Sequence, residues 1–288
     1  MNILITISNF HYLTGAELYV YELARELNRL GHKTYIISAL GEPLVSKARE
    51  AGLDVHDFKE FVDKAIPFQA DIIHSQQEQP TFWINRKLPL VPMVKTIHSW
   101  YETEKQFVHP QVRHYIYVHT ETKPYLLEAG VPEDKMTLIR NGIDLTRFTP
   151  SPVHNRIKKI LFAGTVDPFR KEAAIDVMRR AERDGAEVWF IGHRFDDYLD
   201  ITPAHVTYKP ALWNIEDYVK QCDETVGILF GRWLIEGWAC GKPGTLYHVN
   251  KRGLIDNIER LEPAADMSEY DIKYMAQRIL TIYHAVLS

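Results

Sequence analysis

The chain has 288 residues, 45% of them hydrophobic and 25% charged, with a formal net charge of −4. This length and composition suit one large or two modest globular domains with hydrophobic cores, and two are expected. The mixed charge gives no broad basic surface, so composition argues against nonspecific nucleic-acid binding. Cys222 and Cys240 lie in apolar sequence, which favours reduced, buried thiols in a cytoplasmic protein over a disulfide framework. The sequence shows no metal-ligand cluster and no apolar run long enough to span a bilayer.

The beginning of the chain predicts a strand, a helix and a second strand. Residues 2–7 form a compact β-rich run that does not resemble a signal peptide, and a helix with one apolar face ends at Gly31. Such a unit requires parallel pairing of its strands. The loop before the helix then lies at the carboxyl end of the first strand, where open α/β sheets bind ligands. Gly15 and Glu17 are therefore candidate ligand contacts, although a glycine turn with an acidic helix start explains them equally well.

Two later strands of this half lead into histidines. Residues 70–74 are predicted to end at His74, and residues 92–97 are predicted to deliver His98 to the carboxyl edge of the sheet. A histidine there can donate to a developing oxyanion or orient a sugar, so His98 is the preferred catalytic candidate. Arg113 and His114 are expected to extend the same rim.

The second half repeats the α/β pattern. A strand over residues 160–163 is followed by Gly164 and Thr165, and a helix begins near Arg170 and Lys171. Two cations at a strand-to-helix turn can neutralise a leaving diphosphate. The alternative is that they are a solvent-exposed basic pair with no binding role. A further strand ends at Gly192. The expected walls of a nucleotide-base pocket are Gly192, Tyr208 and Pro210.

The most informative stretch is residues 225–244, an apolar run followed by a turn near Gly231 and a helix that carries Glu236. Unpaired amides at a helix start bind anions, so a diphosphate is expected over Gly231 and Arg232. Glu236 lies about one turn further on, within reach of sugar hydroxyls. A carboxylate near a helix start is also favourable without any function, so both interpretations stay open.

Two motifs carry a resemblance to a known family. Residues 141–150 read NGIDLTRFTP, similar to N-G-V-D-x-x-x-F-x-P, and Phe230, Gly231, Glu236, Ala239, Gly241 and Pro243 fit E-G-F-G-x-x-x-x-E-A-x-A-x-G-x-P. Both patterns resemble glycosyltransferase family 4, whose members are retaining, nucleotide-sugar-dependent enzymes. The resemblance implies an α/β protein of the GT-B fold, with two Rossmann-like domains whose parallel sheets face each other across a cleft. The chain departs from the family at Ile228, where the first glutamate is expected, and at Thr165, where an arginine is expected.

The resemblance also implies a domain plan. Residues 1–150 are expected to form the acceptor-side domain and residues 151–270 the nucleotide-sugar domain. Residues 271–288 show apolar residues at helical spacing, and they are expected to form a helix that crosses back to the first domain.

The implied reaction transfers a sugar from a UDP- or GDP-linked donor to an acceptor, with retention and without a metal or cofactor. The leaving phosphate would accept the acceptor's proton while Arg170 and Lys171 stabilise it. The expected catalytic residues are His98, Arg170, Lys171 and Glu236. The expected donor-binding residues are Gly15, Glu17, Gly164, Thr165, Gly192, Tyr208, Phe230, Gly231 and Arg232.

Several alternatives stay open at the level of sequence. The acceptor could be a carbohydrate, a lipid-linked sugar, a small molecule or a modified nucleic-acid base, and peripheral membrane association and oligomeric state are undecided. A sugar-nucleotide epimerase is a second enzymatic hypothesis. A noncatalytic sugar-nucleotide-binding protein is a third, because Ile228 stands where an acid is expected.

Overall fold

The computed structural model describes residues 1–99, 108–193, 204–250 and 252–288. The chain divides into two compact units. The first comprises Met1–Tyr12, Ala16–Gly142 and Ile272–Ser288, and the second comprises Leu13–Gly15 and Ile143–Asp271.

The first unit is built on a parallel sheet of seven described strands in the order β3-β2-β1-β4-β5-β6-β7. The strands are β1 (Asn2–Phe10), β2 (Lys33–Leu40), β3 (Asp54–Asp57), β4 (Ile72–Ser75), β5 (Met93–Ile97), β6 (Val112–Tyr117) and β7 (Met136–Leu138). The helices are α1 (Gly15–Arg29), α2 (Leu44–Glu50), α3 (Glu78–Lys87), α4 (Thr122–Glu128) and α8 (Ile272–Leu287). The central strands are apolar on both faces, as expected for a sheet covered by helices on both sides.

The second unit repeats this plan in the order β10-β9-β8-β11-β12-β13. Its strands are β8 (Lys159–Ala163), β9 (Glu187–Ile191), β10 (Val206–Lys209), β11 (Glu224–Ile228), β12 (Gly244–Val249) and β13 (Ile255–Leu261), and its helices are α5 (Lys171–Asp184), α6 (Glu216–Gln221) and α7 (Arg232–Ala239). All described pairs are parallel except β12 with β13. The prediction of two Rossmann-like domains with parallel sheets is confirmed, with an antiparallel edge strand that the sequence analysis missed.

Burial agrees with the apolar periodicity that predicted the helices. In α5 the buried side chains are Ala173, Ala174, Val177, Met178 and Ala181, and in α8 they are Ile272, Met275, Ala276, Ile279 and Tyr283. Cys222 and Cys240 are buried free thiols, and burial raises the pKa of Cys222 to about 12 and that of Cys240 to about 11.

Candidate functional site

Each sheet has one switch point, where the chain order reverses. In the second unit it lies between β8 and β11, because β8 leads to β9 on one side and β11 leads to β12 on the other. Open α/β sheets bind ligands in the crevice at the carboxyl ends of such strands. The residues that follow these strands are Gly164 and Leu229. The topology therefore brings the loop after β8 and the turn before α7 to one edge of the same sheet.

The loops after β8 and β9 pack backbone against backbone. Gly164 N–H donates to the Ile191 carbonyl at 2.9 Å, and Val166 N–H donates to the His193 carbonyl at 3.0 Å. A Cβ atom on Gly192 would lie 1.8 Å from the Gly164 carbonyl oxygen, and Gly192 has a φ of +157°. Only glycine fits this close approach. Gly164 and Gly192 thus hold the loops after β8 and β9 together at the carboxyl edge of the sheet. Their predicted contact with a donor stays a prediction.

The turn between β11 and α7 contains a left-handed non-glycine residue. Leu229 has a φ of +67°, and its N–H donates to the Tyr247 carbonyl at 3.3 Å. This conformation costs roughly 1–2 kcal/mol for a residue with a Cβ atom. Leu229 stands where the family pattern E-G-F-G has a glycine, the residue that adopts this conformation most readily. The prediction of a turn near Gly231 is confirmed, because the helix begins at Arg232.

Close packing fixes the start of α7 over the sheet. A Cβ atom on Gly237 would lie 2.3 Å from Thr225 Oγ1, and one on Gly244 would lie 2.7 Å from Leu234 Cδ2. The absence of these side chains lets α7 approach β11 and β12. Gly231 is the extended N-cap residue and offers no side chain to the first turn, which leaves backbone amides available for an anion.

Glu236 and Arg232 form a buried ion pair on α7. Arg232 Nε lies 2.6 Å from Glu236 Oε1, with side-chain exposures of 3% and 0%. Glu236 was predicted to contact sugar hydroxyls and Arg232 the diphosphate, and the pair between them was not predicted. The i, i+4 spacing was the signal that could have revealed it. Phe230 turns its ring towards Trp238 and Tyr270, with centroid distances of 5.0 and 6.2 Å, so its side chain packs into the core of this unit.

The two predicted cations differ in their surroundings. Arg170 is the N-cap residue of α5 and pairs through its guanidinium with Asp167, whose carboxylate also accepts from the Arg170 N–H at 2.9 Å. Lys171 begins α5 and is half-buried. Asp167 offsets part of the charge of Arg170, and the predicted contacts of Arg170 and Lys171 with a diphosphate stay predictions. Thr165, in the place of the family's arginine, adds no charge.

Tyr208 occupies the middle of β10, where it pairs with Phe190. The two rings stack with centroids 5.3 Å apart and an interplanar angle of 9°, against the core beneath α5. The ring thus has a packing role, and its predicted contact with a nucleotide base stays a prediction.

In the first unit, His98 follows β5 at the carboxyl edge, as predicted. Its Nε2 lies 2.9 Å from Gln76 Oε1, and its ring meets the Tyr19 ring edge-on with centroids 4.9 Å apart. Burial, together with the charge of nearby His119, lowers the pKa of His98 to about 3. The imidazole is therefore neutral near pH 7. It can donate or accept a hydrogen bond, but it does not carry a proton to release as an acid.

His74 has a structural environment. Its Nδ1 lies 2.6 Å from the Tyr283 hydroxyl and its Nε2 lies 2.7 Å from Thr96 Oγ1, and burial lowers its pKa to about 3. Both ring nitrogens are used within the core of the unit. His74 thus links α8 to β4 and β5.

One predicted location is wrong. Arg113 and His114 were expected on the same rim as His98, but they lie near the start of β6, where His114 pairs with Val94. Parallel strands start at one edge and end at the other, so Arg113 and His114 lie at the edge opposite His98.

The remaining sequence candidates lie at the start of α1, where Gly15 is the first residue and Glu17 is buried in the first turn. Among the residues that the structure describes, no group of three or more His, Cys, Asp or Glu side chains could hold a metal ion. In the same part of the chain, no helix is both long and apolar enough to cross a membrane.

Comparison with known proteins connects this geometry to a family. Residues 13–147 match the family model described as Glycosyltransferase Family 4. This part of the chain is similar to glycosyltransferase family 4. This match confirms the predicted family and the predicted enzyme class. A search of curated proteins by sequence gave no match.

Solved structures that resemble this protein share its fold over the whole chain. A glycosyltransferase from Rickettsia africae is 15% identical with a TM-score of 0.69, over 100% of this chain and 98% of that one. HepE from Anabaena, solved with UDP-glucose, is 14% identical with a TM-score of 0.71, over 99% and 98%. The sucrose-phosphate synthase of Thermosynechococcus elongatus is 14% identical with a TM-score of 0.61, over 100% and 96%. These likenesses support the predicted GT-B fold.

Proposed function

We propose that this protein transfers a sugar from a nucleotide-sugar donor to a hydroxyl acceptor, with retention at the anomeric carbon and without a metal. The observation that supports this most directly is the second unit's switch point. There the uncapped start of α7, Lys171 at the start of α5 and buried Glu236 belong to loops and helices that follow adjacent strands. An anion at this edge meets amide dipoles and a lysine, and a ribose or sugar meets a carboxylate.

The proposed reaction breaks the bond between the anomeric carbon and the diphosphate oxygen and forms a bond to the acceptor oxygen. The acceptor's proton passes to the leaving phosphate. The backbone amides at Gly231 and Arg232, with the ammonium of Lys171, stabilise the charge that grows on the diphosphate as the bond breaks. In the first unit, neutral His98 holds a substrate hydroxyl by a hydrogen bond. A UDP-sugar is the first donor to test, since HepE, of the same fold, was solved with UDP-glucose.

The deciding experiment has two steps. A panel of UDP-, GDP- and ADP-sugars is first screened by thermal shift, because a ligand that binds the folded state raises Tm. The best donor is then used in transfer assays with an acceptor panel, in wild type and in Lys171→Ala and Glu236→Ala variants. We expect kcat/KM to fall more than tenfold in both variants, about 1.4 kcal/mol or more of transition-state stabilisation. Activity within twofold of wild type in both would overturn the site assignment.

The same assays separate the remaining hypotheses. Conversion of the donor's sugar without an added acceptor would indicate an epimerase. Donor binding without transfer or hydrolysis across the whole acceptor panel would indicate a noncatalytic binding protein.

A further inference from the structure

Gln76 occupies a place in the first unit that corresponds to the switch point of the second. The first sheet reverses its order between β1 and β4, and Gln76 directly follows β4. Its N–H donates to the Thr6 carbonyl of β1 at 3.0 Å, which fixes its backbone at that point. His98 follows β5, the next strand of the sheet. Gln76 was not among the residues predicted to bind a ligand.

The side chain of Gln76 is almost wholly buried, with 2% exposure, and one half of its amide is unsatisfied. Oε1 lies 2.9 Å from His98 Nε2. Nε2 is buried and has no acceptor within the described ranges. Buried amide N–H groups rarely lack an acceptor, and those that do call for an explanation. An oxygen atom of a bound ligand would supply the missing acceptor for Gln76 Nε2.

The contact with Gln76 also determines how His98 can act. An amide oxygen accepts hydrogen bonds and cannot donate them, so His98 must carry its proton on Nε2. A neutral imidazole has one donor and one acceptor nitrogen, so Nδ1 carries the lone pair. Among the described residues, Nδ1 makes no hydrogen bond, and the His98 side chain is half-buried. The same site therefore contains an open acceptor on His98 and unused donors on Gln76.

We propose that Gln76 is a positioning and binding residue of the first unit: its Oε1 keeps the proton of His98 on Nε2, and its amide N–H group donates to an oxygen of the bound substrate. His98 then accepts a hydrogen bond from a substrate hydroxyl through Nδ1. Groups that both donate and accept hydrogen bonds at close spacing are typical of sugars and other polyols. This assignment of a polyol rests on the proposed function, whereas the tautomer of His98 does not.

The tautomer is measured by NMR of protein labelled with 15N at histidine, with the His98→Gln variant used to assign the signals. We expect wild-type His98 to be the Nε2–H form. Gln76→Glu retains an acceptor oxygen and is expected to keep that form, whereas Gln76→Leu removes it and is expected to shift His98 towards the Nδ1–H form. An Nδ1–H form in wild type, which the opposite amide orientation would require, would overturn the proposal. So would a Gln76→Leu spectrum in which His98 is unchanged.

Gln111→Leu is the matched control. Unlike that of Gln76, the amide nitrogen of Gln111 has acceptors, because it donates to the backbone carbonyls of Leu88 and Val91. Gln111 lies next to the start of β6, away from His98. This variant should lose stability without any change in the His98 signals. A change of equal size in this control would mean that the Gln76→Leu effect reports general loosening, and the positioning role would be wrong.

The donor role of the amide is tested by activity. Gln76→Glu keeps the tautomer but removes both N–H donors, so kcat/KM should fall about tenfold. Wild-type kcat/KM in Gln76→Glu would contradict the binding role. If wild type transfers no sugar from any donor, the proposed function fails while the NMR result still decides the tautomer.

Discussion

The second unit contains two buried glutamates at opposite edges of its sheet, and their surroundings differ. Glu224 begins β11 and lies 2.6 Å from Lys158, 2.8 Å from Arg180 and 2.5 Å from the Thr245 hydroxyl. Lys158 precedes β8, Arg180 lies on α5 and Thr245 lies on β12. Glu236, beyond the carboxyl edge, pairs with Arg232 of its own helix. Glu224 therefore connects separate strands and helices, whereas the Arg232–Glu236 pair lies within a single helix.

This difference separates an architectural carboxylate from a candidate ligand contact. Substitution of Glu224 should change stability, and substitution of Glu236 should change activity. The predictions that follow test that division.

The largest effect is expected for Glu224→Gln. The change leaves Arg180 and Lys158 without their anionic partner, and loss of one partner from a buried pair typically costs 3–5 kcal/mol. Lys158 is more than a third exposed, so we expect about 2–3 kcal/mol here. Urea unfolding should give this loss, while kcat/KM should stay within twofold of wild type. If Glu224→Gln is fully folded and its kcat/KM is nevertheless tenfold lower than that of wild type, the assignment of Glu224 to stability alone is contradicted.

Glu236→Gln should lower kcat/KM more than tenfold, because a neutral amide replaces the carboxylate expected to accept from donor hydroxyls. The variant also removes the carboxylate charge that pairs with buried Arg232, so its stability should fall as well. The double variant Arg232→Met with Glu236→Gln removes both charges. It should recover most of the lost Tm and none of the activity; recovery of both would assign Glu236 to stability.

The pH dependence of stability should distinguish the same two groups. The Lys158 and Thr245 hydrogen bonds and the Arg180 charge hold the pKa of Glu224 below its usual value, against the opposing effect of burial. A lowered folded-state pKa contributes stability that is fully present above the unfolded pKa, about 4.3, and is lost as pH falls through the folded value. The stability difference between wild type and Glu224→Gln should thus be constant from pH 7 to about 5 and shrink below about 4.3. A difference that grows in acid would refute this sign.

The smallest effect concerns the turn between these glutamates. At an ordinary strand position, glycine is less stable than alanine by roughly 0.5–1 kcal/mol. At Leu229, where φ is +67°, the order should reverse, with Leu229→Gly about 1 kcal/mol more stable than Leu229→Ala. Leu246 on β12 is similarly buried and offers the matched pair of variants, for which alanine should be the more stable. The same order at both positions would show that Leu229 is unstrained in solution.

Much of the fold was predictable because the apolar patterns were clear. The buried strands around residues 3, 94, 161 and 226 and the apolar faces of α5 and α8 follow directly from residue spacing. The missed strands and helices are α3, β7 and β13. α3 is polar over most of its ten residues, and β13 is largely exposed at a sheet edge, so neither shows the burial pattern that the prediction relied on.

The location of the candidate residues in the fold was predictable where a motif or a strand end marked them, and their roles stay predictions. Gly231, Lys171 and His98 lie beside the end of a parallel strand or at the start of the helix that follows, and Glu236 lies about one turn into α7, as their spacing predicted. The conformation of Leu229 and the contact between Gln76 and His98 depend on backbone geometry and on residues 22 positions apart, which spacing does not encode. Arg113 and His114 were misplaced because they lie near the start of β6, and a parallel strand starts at the edge opposite to its carboxyl end.

The position of α8 affects how the protein is made. Tyr283 of this helix reaches His74 in the first unit, so the unit that begins at Met1 takes its last structural element from residues 272–288. During synthesis, residues 143–271 leave the ribosome before residues 272–288, so the second unit can build its sheet while the first unit still lacks α8. The half of the molecule that is translated first is therefore expected to be the later of the two to mature, and a nascent chain stalled before Tyr283 should be degraded by proteases in its N-terminal part.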